Sequence, residues 1–312
     1  MAMKFKNSTF VSGYLYQAKL DLKKTGETSK NPGTEYIAGS IEIATDEACT
    51  NIVPVYFTYV TATTKSGKSN DTFNVLKNII NKVYKSVMEN GKDQAQKFKI
   101  DSVIGLNEFY SDRSGKEELV STKRNDGGFV HVVNEIDPDE KKRNTFRCDM
   151  IITGFRRQEA DEENGRPEKG IIKGAIFDFR GSLLPVEFSA VAPAAIDYFE
   201  GLGVSNKNPV VTEIRGRMIS EVIVSKTTDE SAFGEAEVRE TRRSNKDYII
   251  TWAAPETKEF DSEETITAKE LNEAMTARET YLATIKQRQD EYKASKGNAS
   301  SAAAPATGGF NF

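Results

Sequence analysis

The sequence has few of the side chains that metal sites and acid–base active sites require. It contains one histidine, two cysteines and one tryptophan. Cys49 and Cys148 stand far apart, which favours two buried thiols over a disulfide or a metal site. His131 lies inside an apolar, strand-like run. Because no Cys/His cluster and no Ser/His/Asp arrangement can be recognised, we expect no metal, no cofactor and no enzymatic activity.

Long apolar runs are also missing. No segment approaches the roughly 20 apolar residues that a membrane-spanning helix needs, and no apolar stretch follows the start of the chain as in a secretory signal. These features predict a cytoplasmic protein. Positive charge is not in excess either, since the net charge is −4, although residues 1–124 carry 18 Lys and Arg against 14 Asp and Glu. Any binding to phosphates would therefore depend on local clusters of Lys and Arg.

Two segments of the chain share the same order of predicted elements. Each has three strand-like runs rich in Val, Ile, Tyr and Phe, then a helical stretch (73–88 or 194–202), then two further strands. The fifth strands are predicted at 128–136 and 247–253. The shared landmarks are Gly13 and Gly154, Gly39 and Gly174, and Pro54-Val55 and Pro185-Val186.

This order of elements predicts the fold. Three strands, a helix and two strands is the order of an OB-fold, a five-stranded Greek-key barrel. Glycines inside the strands agree with it, because barrel strands must bend sharply. We therefore predict a mainly β protein with two tandem five-stranded OB-fold barrels, at 1–136 and 148–256. A charged segment, 137–147, is the predicted linker between them.

A helix is predicted after the second barrel, at 265–296. Thr267 and Glu270 have the spacing of a capping box, which satisfies the exposed N–H groups of a helix start. Leu271, Met275 and Leu282 follow at roughly helical spacing. This apolar stripe either packs on the second barrel, which we favour, or forms an oligomer contact.

The last residues, 297–312, are rich in Ala, Ser and Gly. Such a segment buries too little apolar surface to order itself, so we predict a disordered tail. The tail ends in Phe310 and Phe312. This aromatic tip suits docking into a partner protein, with an unselected chain end as the alternative.

The tandem barrels over 9–253 and the flexible, phenylalanine-terminated tail resemble phage and bacterial single-stranded DNA-binding proteins. The resemblance lies in the architecture and not in a sequence signature. It implies single-stranded DNA as the partner and a tail that recruits replication or recombination proteins. In that family, acidic residues usually precede the aromatic end, whereas residues 302–312 contain none.

A sequence-tolerant binder of single-stranded DNA needs aromatic rings for the bases and Lys or Arg for the phosphates. Strand side chains alternate between two faces. In the first barrel the residues predicted to face inward are Val11, Leu15, Ile37, Ile41, Val53, Val55 and Phe57. The alternate set predicts DNA contacts at Tyr14, Tyr16, Tyr36 and Tyr56, with Lys19, Lys23, Lys24, Lys65 and Lys68 in adjoining loops.

The second barrel offers more cations and fewer aromatic rings. Arg215 and Arg217 flank Gly216 on the fourth strand, and the loop between strands four and five commonly closes over the ligand in OB-folds. Trp252 is predicted to lie in the core. The predicted DNA contacts are Phe155, Arg156, Arg157, Lys173, Phe177, Arg180, Arg215, Arg217, Arg242 and Arg243.

Together these features predict a non-catalytic protein that coats and protects single-stranded DNA in replication or recombination, in the setting of a phage. Two alternatives stay open. One is a protein-interaction or structural β-protein such as a virion component, whose binding face would be apolar and uncharged. The other is an oligomeric accessory protein of recombination that anneals strands. The oligomeric state is left open.

Overall fold

The computed structural model describes residues 5–113, 115–161, 167–229, 237–262 and 264–300, without the side chains of 221–245 and 295–300. The first half contains β1 (Asn7–Lys24), β2 (Glu35–Ala44), β3 (Ile52–Thr61), α1 (Asp71–Ile80), α2 (Val87–Asn90), β4 (Lys97–Ser111) and β5 (Glu118–Val133). The second half contains β6 (Asn144–Gln158), β7 (Lys169–Phe177), β8 (Leu183–Ala190), α3 (Pro193–Gly201), β9 (Val210–Asp229) and β10 (Glu237–Ala253). A short β11 (Lys258–Glu259) and α4 (Ala268–Ser300) follow.

Each half closes into a five-stranded barrel. In the first, β1 pairs with β2 and β4, β2 pairs with β3, and β4 pairs with β5, all antiparallel. A parallel contact between β3 and β5 closes the barrel, with Val55 opposite Asn125. The second half repeats this order from β6 to β10, and Ile249 opposite Ser189 makes its parallel closure. The prediction of two tandem OB-fold barrels is confirmed.

The two barrels share one continuous sheet. The start of β1 pairs antiparallel with the start of β6, from Asn7 opposite Cys148 to Val11 opposite Asn144. The glycines that mark the repeat, Gly13 and Gly154, each lie beyond the paired stretch on their own strand. The barrels are therefore related by an approximate two-fold axis through the joined strands.

The charged segment predicted as the linker, 137–147, is part of this junction. β6 begins at Asn144, inside the predicted linker. Arg143 is buried. Its carbonyl oxygen accepts a hydrogen bond from the backbone N–H of Ser12 at 2.7 Å, and its guanidinium donates to Glu47 at 2.8 Å. The backbone of this segment thus holds β1, and the buried charge of Arg143 pairs with the segment that follows β2.

The core follows the alternation of the strands. All seven residues predicted to face into the first barrel are buried. They belong to one apolar cluster that continues into the second barrel through residues such as Phe146, Met150 and Phe188. The continuous cluster fixes which side of each strand faces outward, and so determines which side chains a ligand can reach.

The fifth strands begin earlier than predicted. β5 starts at Glu118 and β10 at Glu237, about ten residues before the predicted starts at 128 and 247. The extra residues are mostly polar, so the hydrophobic pattern gave no signal for them. Backbone pairing carries the β4–β5 hairpin out to Ser111 opposite Glu118.

Helix α4 lies against both barrels. Its capping box forms as predicted, with the backbone N–H of Glu270 donating to Thr267 Oγ1 at 3.2 Å and the Thr267 N–H donating to Glu270 Oε2 at 3.0 Å. Leu271 packs on the apolar cluster around Phe177 in the second barrel. Further along, Arg278 pairs with Glu108 of β4, so the helix also holds the first barrel.

The predicted tail tip, Phe310 and Phe312, lies outside the described residues. Within the described ranges, none of the helices combines the length and the apolar character needed to cross a membrane.

Candidate nucleic-acid interface

The outer surface of β1, β2 and β3 carries a cluster of tyrosines, which we call the tyrosine face: Tyr36, Tyr56 and Tyr59. Strand register places Lys19 beside Ser40 and Ser40 beside Tyr56 in one row across the strands. Two outer rows further along lie Lys23, Tyr36 and Thr61, and Asp21 lies opposite Ala38 in the row between. Tyrosine rings and lysines therefore share one surface of the first barrel, together with Asp21.

Tyr36 and Tyr59 form a pair of rings with centroids 4.7 Å apart and planes tilted by 40°. Tyr59 was not among the predicted contacts, because strict alternation places it on the same side as Val55 and Phe57. The ladder contains a bulge here: Ile37 lies opposite Val60, while Gly39 lies opposite Phe57. The extra residue in β3 turns Tyr59 outward, and 51% of it is exposed.

The third ring, Tyr56, lies near the closure of the barrel. Its partner on β5 is Asp126, and the guanidinium of Arg124 lies 5.6 Å from its ring centroid. Tyr56 is half-buried. A cation against an aromatic ring is a favourable contact that also fixes the ring's orientation.

The lysines around this face are exposed. Lys65 and Lys68 lie in the loop that continues from the end of β3, as predicted. Lys19, Lys23 and Lys24 lie on β1 and not in a loop, because β1 extends to Lys24. Lys23 and Lys24 have acidic neighbours at 3.4 Å, Asp21 and Glu35. Ion pairs as exposed as these contribute little, so a phosphate can compete for the lysines.

Tyr14 and Tyr16 do not belong to the tyrosine face, which corrects the predicted set. Tyr14 is 9% exposed, and its hydroxyl donates to Glu47 at 3.0 Å. The ammonium groups of Lys92 and Lys97 lie 5.8 Å and 5.7 Å from its ring centroid. Tyr16 is half-buried and packs against a small apolar cluster of Tyr14, Ala44 and Ala95. The segments after β2 and around α2 cover this part of β1.

Glu47 holds this cover in place. It accepts hydrogen bonds from Tyr14, Lys92 and Arg143. The hydrogen bonds from Lys92 and Arg143 lower its pKa from 4.5 to about 2. Burial, followed by the hydrogen bond to Glu47, raises the pKa of Tyr14. The Glu47 carboxylate therefore stays ionised at pH values well below the usual titration range of a glutamate.

Glu47→Gln is expected to remove a pH-dependent part of the stability. Because the folded-state pKa is depressed, the stabilisation is fully present above about pH 4.5 and is lost as the pH falls towards about 2. Glu47 is 48% exposed, so solvent screening limits the effect to about 1 kcal/mol. Urea unfolding near pH 7 should show the variant as less stable. The difference should shrink towards about pH 2, and a gap that stays constant with pH would contradict this interpretation.

The second barrel does not present an equivalent aromatic face. Phe155, predicted as a stacking residue, packs against the core beside Gly170. Phe177 is buried, with Phe5 at 5.0 Å between ring centroids. Neither ring lies on an open outer surface, so both predicted positions are corrected.

Two predicted cations of this barrel already have carboxylate partners. Lys173 pairs with Glu187 on β8 at 3.1 Å. Arg157 pairs with Glu168 and Glu200 at 2.6 Å each. A phosphate at either position would have to displace these carboxylates.

The remaining predicted residues fall into three groups. Arg156 and Arg180 are exposed, and Arg180 lies over the ring of Phe179 at 5.0 Å. Arg215 and Arg217 lie on the outer surface of β9. Arg242 and Arg243 lie on β10, and their side chains are outside the described residues.

Trp252 is not in the core, contrary to the prediction. It is 41% exposed, and the Arg215 guanidinium lies 4.3 Å from its ring centroid. The pairing of β9 with β10 has a register shift between Ile250 and Trp252. An irregularity of this kind turns a side chain that alternation assigns to the interior towards the solvent.

In the parts of the chain that the structure describes, no group of three or more His, Cys, Asp or Glu residues could hold a metal ion. Cys148 is buried and Cys49 half-buried, both as free thiols.

Comparison with known proteins gives a family but little about function. A family model described as YorF matches residues 6–288. None of the curated proteins compared with the chain matches it. Among solved structures, the wild-type single-stranded DNA binding protein from Thermus aquaticus is 11% identical, with a TM-score of 0.42, covering 82% of this chain and 95% of that one. A deletion mutant of the same protein is 10% identical, with a TM-score of 0.44, covering 83% and 98%. These likenesses are too distant to support an argument about function.

Proposed function

The chain belongs to the YorF family, whose description states no activity, and we propose from the geometry of the tyrosine face that it binds single-stranded DNA with little sequence preference. In this role it coats and protects the strand during replication or recombination of DNA, in the cytoplasm of a phage-infected or bacterial cell. The proposal requires no catalytic step, because binding alone protects the strand.

The pair of Tyr36 and Tyr59 on the outside of a closed barrel carries this proposal, with Tyr59 exposed and Tyr36 half-buried like Tyr56. Every base has a flat face, so an exposed ring accepts any base, and each stack contributes about 1–3 kcal/mol. Strands two and three of an OB-fold are also where oligonucleotides commonly bind. Lys19 lies in the same row as Tyr56, and Lys65 and Lys68 lie in the loop that follows β3, so all three are candidates to meet the phosphates of a stacked strand.

The same features favour a single strand over a duplex. Bases inside a duplex are stacked on each other, so their flat faces are closed to a protein side chain. Duplex binding without base contacts depends on many Lys and Arg, whereas this chain has a net charge of −4. The tyrosine face therefore offers rings for unpaired bases, in a chain whose 43 Lys and Arg are outnumbered by 47 Asp and Glu.

Binding to a fluorescently labelled oligo-dT, followed by anisotropy at several salt concentrations, tests the proposal. We expect binding that weakens with salt. If Lys19, Lys65 and Lys68 each contact one phosphate, the slope of log K against log salt should be roughly −2, at about −0.7 per phosphate.

A duplex of equal length is the control and should bind more weakly. No binding of oligo-dT at low salt would refute the proposal and favour a protein-interaction or structural role.

Recruitment of replication or recombination proteins through Phe310 and Phe312 is a further part of the proposal. It rests on the aromatic end of the sequence and on the resemblance to single-stranded DNA-binding proteins.

A further inference from the structure

A second outer surface lies where the two barrels join. Strands β4, β1, β6 and β9 are neighbours there, and their outer faces form a groove of about 480 Å³. We call it the junction groove. Its lining includes Phe10, Lys141, Arg147, Arg215 and Arg217. Trp252 lies beside the groove, in contact with Arg215.

The strand register explains why these residues meet. Phe10 lies opposite Thr145, and Thr145 lies opposite Arg217. The next outer row brings Arg147 opposite Arg215, and Arg215 opposite Trp252. Residues far apart in the sequence thus form two adjacent rows across strands of both barrels. Each barrel alone would supply only part of the groove.

Trp252 and Arg215 form a preorganised contact. The guanidinium lies 4.3 Å from the ring centroid, as in a cation–aromatic contact. Glu213 fixes the arginine by accepting from its Nε at 2.7 Å. Because these contacts already set the orientation of the two side chains, stacking a flat ligand on Trp252 would cost little side-chain entropy.

The charge of the groove favours an anion. Four cations line it, Lys141, Arg147, Arg215 and Arg217, against Asp101 inside it and Glu213 beside it. Glu213 accepts from Arg147 at 2.7 Å as well as from Arg215. Arg217 donates through Nε to Asn144 at 3.2 Å. A phosphate beside Arg217 would meet a guanidinium that a neutral amide holds in place.

We propose that the junction groove binds a second stretch of single-stranded DNA, with a base stacked on Trp252 and a phosphate paired with Arg217. The inference rests on the proposed function for the identity of the ligand, but it concerns a different surface. About nine residues of β1 separate Phe10 in the groove from Lys19 on the tyrosine face, or roughly 30 Å of strand. The cover around Glu47 closes the outer side of β1 between them.

The single tryptophan of the chain makes a direct test possible. Oligo-dT is added to the full-length protein while Trp252 emission and the anisotropy of a labelled strand are recorded. We expect the emission to be quenched as the strand fills the groove, because a base stacks on the indole. Inorganic polyphosphate carries charge without bases and should leave the emission almost unchanged.

Two variants and a matched control extend the test. Trp252→Ala and Arg217→Ala should each weaken the binding of a long oligo-dT by about 5- to 150-fold, which corresponds to about 1–3 kcal/mol. Arg288→Ala removes an exposed arginine from α4, outside both surfaces, and should bind as the wild type does. Thermal unfolding of each variant checks that the barrels are intact.

The outcomes separate this inference from the proposed function. If the anisotropy rises while Trp252 emission stays constant and Trp252→Ala binds normally, the groove proposal is wrong and the tyrosine face is unaffected. Equal quenching by polyphosphate would also overturn it, because the groove would then be an anion site without base stacking. If the anisotropy does not rise at all, the proposed function fails first.

Discussion

Replacing both Tyr36 and Tyr59 with alanine is expected to weaken the binding of oligo-dT by about 30-fold or more. Each base–aromatic stack contributes about 1–3 kcal/mol, so the loss of two costs at least about 2 kcal/mol. The two rings lie 4.7 Å apart, which allows them to hold neighbouring bases of one strand. Anisotropy titrations at a single low salt concentration measure the change.

Two controls distinguish stacking from other causes. Tyr36→Phe with Tyr59→Phe keeps the rings and removes only the hydroxyls, so its affinity should stay near that of the wild type. Tyr281→Ala removes a tyrosine on α4 that is 54% exposed, much like Tyr59 at 51%, and should have no effect. If the alanine pair binds as tightly as the wild type while its thermal unfolding is unchanged, the tyrosine face is not the binding surface.

The salt dependence should change little in the alanine pair. The tyrosines carry no charge, so their removal eliminates base stacking but leaves the lysines that meet the phosphates. The slope of log K against log salt is therefore expected to match that of the wild type. Replacing Lys19, Lys65 or Lys68 with alanine should have the opposite effect, with a slope that is shallower by about 0.7 for each phosphate that the variant no longer binds.

The barrels could be predicted from sequence because their signal is local and occurs twice. Inward residues such as Val11, Ile41 and Val55 follow the alternation that a strand needs to bury one face in the core. The paired landmarks Pro54 and Pro185 lie opposite Glu42 and Ala175, each two residues before the end of its strand, β2 or β7. A pattern that a strand must satisfy to bury its side chains is visible without knowing what lies next to it.

The side of the strand on which each aromatic residue lies was harder to predict than the barrels, because bulges break the alternation. Strict alternation assigned Tyr59 to the interior, and Trp252 was assigned to the core. Irregularities in β3 and in the β9–β10 pairing bring both to the surface. A bulge is set by the register between two strands, which one strand's sequence does not reveal.

Long-range cover and pairing account for most of the other differences. Tyr14 has the period of an outer residue, yet Glu47 and Lys92 from distant segments close over it. Arg157 looked available for phosphate, but Glu168 and Glu200 reach it in the folded barrel. Both effects depend on contacts between segments that are remote in sequence, so charge and hydrophobic pattern alone cannot show them.

Gly39→Ala is expected to destabilise the first barrel by roughly 2–6 kcal/mol. Gly39 has a φ of +132°, which side-chain-bearing residues rarely adopt, and a Cβ there would lie 2.0 Å from the carbonyl oxygen of Lys19. Backbone strain contributes about 1–3 kcal/mol and the steric overlap a similar amount. A domain of this size has a total stability of about 5–15 kcal/mol. The tyrosine face should be lost with the barrel, since Gly39 lies on β2 between Tyr36 and Ser40.

Two other glycines separate the causes of this destabilisation. Gly33 also has a positive φ, +73°, but a Cβ at this position would have no neighbour within 4 Å, so Gly33→Ala should show only the smaller cost of the backbone. Gly26 has neither constraint, and Gly26→Ala should be nearly neutral. Urea unfolding followed by far-UV circular dichroism reports on both barrels, while Trp252 emission reports on the second. Equal midpoints for Gly39→Ala and Gly33→Ala would contradict the steric argument, because of these two glycines only Gly39 lies against another strand.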